Sequence, residues 1–170
     1  MKNYIFLSAL LLCFASCTNV SFVNPQPEFL EPLSEIPETY QGRFVFSEAS
    51  DVSNEDVNII TATTVNGISI FSDSVVVKTR GNYFYINLLD DKGNYELYVF
   101  KQLAYLNYEK IYAIFPAINK EKSHLFNIID SWNCNNNKLC YLLTDVNVNQ
   151  FNLLVNSSFI EESVELKRLN

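Results

Sequence analysis

The sequence lacks most of the features from which an activity is usually predicted. It has a single histidine, His124, and only four glycines. No glycine-rich phosphate loop, HExxH zinc motif or EF-hand pattern occurs. Basic residues are also scarce: 12 Lys and Arg stand against 19 Asp and Glu, for a formal net charge of −7, and they form no cluster. We therefore expect no cofactor, no nucleic-acid partner and no electrostatic docking to anionic headgroups.

The remaining candidates for catalysis are the histidine and two pairs of neighbouring acids. His124 has no recognisable nucleophile motif to activate, so we interpret it as a surface residue. Asp90-Asp91 lies in a predicted turn, where Asp is common because its side chain bonds to nearby backbone. Glu161-Glu162 flanks a predicted strand and is interpreted as solvated. The sequence therefore predicts no catalytic residue and no metal site, and a protein that is not an enzyme.

The chain begins with a short positive region followed by an apolar run. Lys2 and the N-terminus precede apolar residues 4–14, which are typical of a signal peptide. The run is too short to span a bilayer, which takes about 20 apolar residues. It ends in Phe14-Ala15-Ser16-Cys17. This segment resembles the lipobox of bacterial lipoproteins, with Phe14 where Leu is usual. The resemblance implies cleavage before Cys17 and lipidation of that cysteine; the alternatives are a plain secretory signal and an uncleaved anchor.

Lipidation would also set the location of the protein and its domain boundaries. We assign residues 1–16 to the signal peptide and residues 17–41 to a tether and entry segment, which is Pro-containing and has no helical period. Residues 42–170 form a single β-rich globular domain, because a mature chain of about 150 residues suits one core. No acidic cluster directly follows Cys17. The absence of this cluster favours the periplasmic face. Together with the lipobox-like segment, it leads us to expect a cell-envelope protein that is lipid-anchored in the outer membrane and faces the periplasm.

Two of the four cysteines remain for the folded part of the chain. Cys13 lies in the predicted signal peptide, and the lipobox resemblance implies lipidation of Cys17. Only residues 135–137, Lys138 and Leu139 separate Cys134 from Cys140, and this short segment can turn the chain. In an oxidising periplasm we predict that the pair forms a disulfide, which would contribute about 2 kcal/mol. The alternatives are two free thiols and, less favourably, a zinc site with His124, for which no fourth ligand is indicated.

The folded part is predicted to be α+β. With 13 Phe and 10 Tyr, the composition favours sheet packing. A period of two predicts strands at residues 43–47, 57–63, 67–72, 74–80, 82–89, 95–103, 110–115, 138–144 and 163–169. Asn66-Gly67 predicts a hairpin turn. Helical spacing predicts one helix over residues 120–131 and a second from Val148 to Val155, capped by Asp145 or Asn147. The result is an antiparallel β-meander sheet or partial barrel with two late helices.

Tyrosines are concentrated on the predicted strands. In residues 82–89, Tyr83, Tyr85 and Asn87 share one face, and Phe84, Ile86 and Leu88 share the other. Further tyrosines occur at Tyr95, Tyr98, Tyr105, Tyr108 and Tyr112. Such residues can line a face for a carbohydrate or an apolar ligand, or they can pack in the core and as cross-strand pairs.

Residues 72–87 (SDSVVVKTRGNYFYIN), followed by residues 95–100 (YELYVF), resemble small uncharacterised lipoproteins of Bacteroidetes and flavobacteria. The lipobox and the closing helix-strand-helix-strand pattern extend the resemblance over most of the chain. The resemblance implies no reaction, because that group has no assigned chemistry. We therefore predict a non-enzymatic envelope protein, anchored to the membrane through its N-terminal lipid, that acts through contacts with another envelope protein. The alternative is a periplasmic binding module for a small apolar or carbohydrate ligand, and a hydrolase is third. An apolar cavity would favour ligand binding, and an exposed apolar patch would favour protein contacts.

Overall fold

The strands of this chain follow most of the period-two segments of the sequence. The structure, a computed structural model, describes residues 20–47, 57–105, 108–118, 120–133 and 139–169. The strands are β1 (Val20–Phe22), β2 (Gly42–Phe46), β3 (Asn58–Ile60), β4 (Thr64–Val65), β5 (Ile68–Ser69), β6 (Val75–Arg80), β7 (Tyr83–Leu89), β8 (Tyr95–Tyr105), β9 (Tyr108–Ile114), β10 (Ile128–Asn133), β11 (Leu139–Leu143) and β12 (Ser163–Leu169). The described helices are α1 (Val148–Glu162) and two 3-10 helices, Glu38–Tyr40 and Lys120–Leu125.

The twelve strands form one open, mixed sheet. Its path runs β10-β11-β1-β8-β9-β12-β2-β3-β4-β5, and β7 and then β6 branch off at β8. Among the described strand pairs, β1 and β11 run parallel and the others run antiparallel. The α+β class is therefore confirmed, but the purely antiparallel meander is wrong. The difference arises at β1, a three-residue strand of the N-terminal segment that lies between β8 and β11. A strand this short shows no alternation of apolar and polar residues from which it could be predicted.

The long strand β8 holds the two parts of the sheet together. One of its edges pairs with β7. Its other edge pairs first with β1, where Ser21 lies opposite Glu96, and then with β9, where Ile114 lies opposite Val99. The start of β1 and the end of β9 therefore meet on one edge of β8, within about 7 Å along the strand.

The N-terminal segment packs on the sheet from Val20 onwards, although the sequence assigns residues 17–41 to a tether and entry segment. The amide of Asn87, which is fully buried, donates to the carbonyl oxygen of Gln26 at 2.8 Å and accepts from its N–H at 2.6 Å. Lys78 Nζ donates to the backbone carbonyls on both sides of Gln26, at 3.0 and 2.9 Å. Because buried polar groups are costly unless paired, these bonds fix the segment in one position.

Residues 33–40 cover the gap between β6 and the β3–β4 hairpin. The N–H of Leu33 donates to β6 and that of Ile36 donates to the β3–β4 turn, each over 2.8 Å. The Tyr40 ring stacks on Phe84, with the ring centroids 4.7 Å apart. This segment therefore bridges two parts of the sheet that do not pair with each other among the described strands.

Each face of the sheet carries a hydrophobic core. The first core lies between the sheet and α1 and contains Val20, Phe22, Tyr85, Leu97, Val99, Ile114, Ile118, Phe126, Tyr141, Leu143, Val146, Phe151, Leu154 and Val155. The second core contains Ile36, Tyr40, Phe44, Ile60, Val65, Ile70, Val75, Val77, Phe84, Ile86, Ala113 and Leu166. The predicted alternation in β7 is confirmed, since Tyr85 belongs to the first core and Phe84 and Ile86 to the second.

The predicted helix over residues 120–131 is wrong. Only Lys120–Leu125 is helical, as a 3-10 helix, and β10 then begins at Ile128 and pairs with β11. The apolar spacing that suggested a helix is also met by one helical turn followed by a strand. The β-branched residues Ile128 and Ile129 favour the strand, and the free edge of β11 supplies its hydrogen bonds. The chain therefore has one late α-helix in its described part.

The second predicted helix is confirmed as α1, and Asn147 caps it. The Asn147 Oδ1 accepts from the N–H groups of Asn149 and Gln150, at 3.0 and 3.1 Å. In return the Gln150 Oε1 accepts from the Asn147 N–H at 3.0 Å. This capping box satisfies N–H groups that have no partner within the helix.

Replacing Asn147 by alanine should lower the free energy of unfolding by about 1 kcal/mol, because the capping acceptor is lost. The matched control is Asn147→Asp, which keeps an oxygen in the same place and should unfold at nearly the wild-type midpoint. Urea titration followed by far-UV circular dichroism measures both variants. Equal midpoints for Asn147→Ala and wild type would contradict the assignment of this cap.

Candidate functional site

The cysteine predictions are only partly covered by the described residues. Cys17, the predicted lipidation site, and Cys134 both lie outside them. Cys140 lies in β11 and is disulfide-bonded. Asn133 pairs with Leu139 across the β10–β11 hairpin, so the segment that contains Cys134 joins these two strands. The pairing of Cys134 with Cys140 stays a prediction.

The titratable residues considered for catalysis are dispersed. His124 is exposed on the 3-10 helix before β10. Asp90 lies in the β7–β8 turn, where its Oδ1 accepts from the N–H groups of Lys92 and Asn94 at 2.9 and 2.8 Å. Glu161 and Glu162 are the last two residues of α1. In the part of the chain that the structure describes, no three His, Cys, Asp or Glu side chains are grouped so that they could hold a metal ion.

The strand tyrosines do not share one face. Tyr85 is buried in the first core, with the Tyr83 ring stacked beside it at 6.2 Å between centroids. These two residues border an open groove of about 400 Å³ next to α1, which is also lined by Asn152 and Asn156. Tyr98 instead faces the second core. The strand tyrosines whose side chains the structure describes therefore do not form a single binding face.

The second core contains an apolar cavity of about 250 Å³. Its walls come from β2, β3, β7, β8, β9 and β12 and from residues near them: Tyr40, Phe44, Phe46, Asn58, Ile60, Val65, Asn66, Phe84, Ile86, Leu88, Tyr98, Phe100, Ile111, Ala113, Ile114, Phe115 and Leu166. Well-packed cores rarely leave voids much larger than a water molecule. A space of this size is therefore a candidate binding site.

The cavity opens at one end of the strands. Strands β2, β7 and β9 end there, and β3, β8 and β12 begin there, as their antiparallel pairing requires. The partly exposed lining residues at this end are Phe46, Asn58, Asn66, Leu88, Tyr98 and Phe115. The rings of Phe46 and Tyr98 contact that of Phe115, with centroids 5.8 and 6.2 Å away. Toward the opposite end the cavity is lined by the buried Tyr40, whose hydroxyl donates to the Asn82 carbonyl at 3.1 Å; the lining residues Phe100 and Ile111, farther from the mouth, are partly exposed.

The mouth carries polar side chains beside its apolar ones, and none of the residues that line the cavity is positively charged. Asn66 Nδ2 donates to Asn58 Oδ1 at 3.1 Å, and the Tyr98 hydroxyl donates to Glu96 Oε2, also at 3.1 Å. Burial, together with the neighbouring Glu96 carboxylate, raises the pKa of Tyr98 to about 12. The cavity is thus lined mostly by apolar side chains; apart from the polar groups at its opening, its lining includes the Tyr40 hydroxyl, which donates to the Asn82 carbonyl.

The raised pKa of Tyr98 makes the stability sensitive to alkaline pH. The unfolded chain ionises this tyrosine near pH 10, whereas the folded protein keeps it neutral to about pH 12. The stabilisation is therefore complete below pH 10 and is lost as the pH rises toward 12. We expect Tyr98→Phe to lessen the fall in unfolding free energy between pH 8 and pH 11 by up to about 1 kcal/mol, allowing for solvent screening. Urea unfolding of both proteins at the two pH values measures this, and parallel falls would contradict it.

Comparisons with protein-family models, with curated protein sequences and with solved structures give no match for this chain. Over the described residues, no helix has the length and apolar character needed to cross a bilayer. The candidate site therefore stands on its own geometry.

Proposed function

We propose that this chain is a lipid-anchored envelope protein that binds a small, neutral, apolar molecule in its second core. The observation that supports this most directly is the apolar cavity of about 250 Å³, which is open at one end. Small-molecule sites are typically concave and mostly apolar, with a few polar groups that orient the ligand. Here Asn58 and Asn66 are the polar groups at the opening.

The chemistry of the lining favours an apolar ligand over a carbohydrate. A sugar needs a hydrogen-bonding partner for each hydroxyl that it buries, or the desolvated hydroxyl is costly. The cavity wall offers two tyrosine hydroxyls, and both already donate, Tyr40 to a backbone carbonyl and Tyr98 to Glu96. An aliphatic or aromatic ligand has no hydroxyl groups that need hydrogen-bonding partners when they are buried. Because an apolar cavity is present, we propose ligand binding ahead of the protein contacts that the sequence suggested first.

The membrane anchor belongs to the same proposal and is supported by the lipobox-like segment that ends at Cys17. Lipid on Cys17 would hold the protein in the bacterial envelope, at the periplasmic face of the outer membrane. An oxidising periplasm suits the disulfide of Cys140, for which we propose Cys134 as the partner. No catalytic step is proposed.

Contacts with an envelope protein are a second candidate function, favoured by the β10 edge. Strand β10 lies at the end of the sheet path, and among the described strands it pairs with β11 alone. Its residue Ile129 is 58% exposed. An exposed strand edge with an apolar side chain is a surface on which another chain can add. Mild-detergent co-purification from native envelopes tests this role, and loss of a stoichiometric partner in an Ile129→Lys variant would support it.

Ligand binding is tested by titrating the mature protein, with Cys17→Ser to keep it soluble, against the neutral apolar fluorophore N-phenyl-1-naphthylamine. We expect saturable binding with a one-to-one stoichiometry and a micromolar dissociation constant, of the order that burial of one small apolar molecule provides. A monoacylglycerol should displace the fluorophore, and glucose and maltose should not. Absence of saturable binding, or displacement by the sugars alone, would contradict the proposed function.

A further inference from the structure

The point where the chain enters the fold lies beside the mouth of the cavity. Because Ser21 pairs with Glu96, Val20 lies within two residues of the rim residue Tyr98 along β8. Two residues separate Val20 from Cys17, so covalent geometry limits the distance between those Cα atoms to about 11 Å. A lipid on Cys17 would therefore keep the mouth close to the bilayer surface.

Exposed apolar side chains surround the same end of the sheet. They are Val23, Ile68 and Phe71, with exposed fractions of 37, 46 and 69%. Ile68 directly follows the turn that carries Asn66 at the mouth. Phe71 lies in the β5–β6 loop, which reaches the end of β7 where the Leu89 N–H donates to the Ser74 carbonyl at 2.9 Å. Other exposed apolar side chains, among them Phe29, Leu125 and Ile129, lie elsewhere on the described surface, but these three lie near an apolar opening, where they can contact another apolar phase.

The chemistry at the mouth restricts the ligand further. The interior is apolar, so it takes a hydrocarbon chain or ring. The side chains that meet the polar end of the ligand are the amides of Asn58 and Asn66, and Glu96 adds a negative charge through its hydrogen bond with Tyr98. An anionic headgroup would find no positively charged partner among the lining residues. The volume of about 250 Å³ lies just below the range of roughly 300–1,000 Å³ typical of ligand pockets, so the cavity takes one short chain, or part of one longer chain.

We propose that the cavity takes up a monoacyl lipid with an uncharged polar end directly from the bilayer that holds Cys17, through the mouth lined by Phe46, Tyr98 and Phe115. The inference rests on the proposed function, since it needs both the cavity and the anchor. Val23, Ile68 and Phe71 contact the bilayer, and the acyl chain passes from one apolar phase to the other without crossing water. Exposing the methylenes of the chain to water on the way would raise the barrier to transfer.

The test uses the lipidated mature protein in phosphatidylcholine vesicles that contain a pyrene-labelled monoacylglycerol. Transfer into the cavity separates the pyrenes, so excimer emission falls and its initial rate reports uptake. Two variants disturb the arrangement: Ile68→Ser with Phe71→Ser, and a flexible Gly/Ser linker of about 20 residues placed between Asn19 and Val20. We expect each to slow uptake by about tenfold or more, which equals 1.4 kcal/mol in the barrier.

The matched control is Leu125→Ser, which removes an exposed apolar side chain from the 3-10 helix before β10 and should leave the uptake rate unchanged. Each variant is also titrated in solution with N-phenyl-1-naphthylamine in the Cys17→Ser form, where unchanged affinity shows an intact cavity. Equal uptake by the linker variant and the native protein would overturn the proposal, because the lipid would then arrive through water. Absence of binding in solution by the unsubstituted cavity would instead contradict the proposed function itself.

Discussion

Replacing Phe151 by alanine should lower the free energy of unfolding by about 3–5 kcal/mol, the usual cost of removing a fully buried aromatic side chain. Phe151 is 1% exposed. Its ring meets those of Tyr85 and Phe29 edge to face, with centroids 5.5 and 6.1 Å away. One side chain therefore joins α1, the sheet and the N-terminal segment. Urea unfolding followed by circular dichroism measures the change.

The control lies two residues further along the same helix. Leu153 is 38% exposed, so Leu153→Ala also places an alanine in α1, with a small change in helix propensity, but leaves no sealed cavity. We expect it to cost less than about 1 kcal/mol. Similar losses in the Leu153 and Phe151 variants would show that α1 does not pack on the sheet through the face that contains Phe151.

Replacing Ala113 by phenylalanine should weaken binding of N-phenyl-1-naphthylamine by at least about tenfold while keeping the protein folded. Ala113 is 4% exposed, and its side chain lines the cavity wall on β9. A larger apolar side chain there occupies the space that the ligand needs. Because it fills a void, it also gains packing contacts, so the melting temperature should stay the same or rise. Fluorescence titration and a thermal melt measure the two quantities separately.

A phenylalanine at an exposed site, Ser131→Phe on β10, is the control for a general increase in surface apolarity. It should leave the affinity of the fluorophore unchanged. If the Ala113 variant binds the fluorophore as tightly as the wild type while melting at the same temperature, the ligand is bound outside the second core. The groove beside Tyr83 would then be the next site to examine.

The elements that sequence reasoning predicts well are those specified by neighbouring residues. The alternation in β7 follows from a period of two and holds because both faces of that strand are buried. The Asn66-Gly67 hairpin is confirmed by positive φ angles of 49° and 81°, which few other residue pairs adopt readily. The position of α1 follows from its apolar spacing and from Asn147, a strong capping residue. Each signal is contained within a few residues.

The features that depend on distant parts of the chain could not be predicted. Strand β1 has three residues and forms only because β8 and β11 leave an edge on each side of it. The apolar spacing from Ile128 onwards is compatible with either a helix or a strand. Pairing with the neighbouring edge of β11 makes it a strand. The predicted tether becomes part of the fold through Asn87 and Lys78, which lie more than fifty residues away in sequence.

From the sequence alone, an apolar cavity can be named only as the feature that would favour a ligand-binding role. Its walls come from separate strands, and its volume depends on the curvature of the sheet, which the period of two does not encode. One local signal was present: Ala113 is the small residue in a run of large apolar ones, between Tyr112 and Ile114 on β9. A small side chain at a buried strand position leaves room that neighbouring side chains must fill or that a ligand can occupy.

Intact-mass spectrometry of the protein purified from native envelopes, under conditions that preserve non-covalent complexes, tests the central claim most directly. We expect a mature chain that begins at a lipid-modified Cys17 and carries one further neutral mass in the range of a monoacyl lipid. That mass should leave on denaturation and should be missing from the Ala113→Phe variant. An unmodified N-terminus would contradict the anchor, and a lipidated protein that carries no small molecule in either form would contradict the function proposed for the cavity.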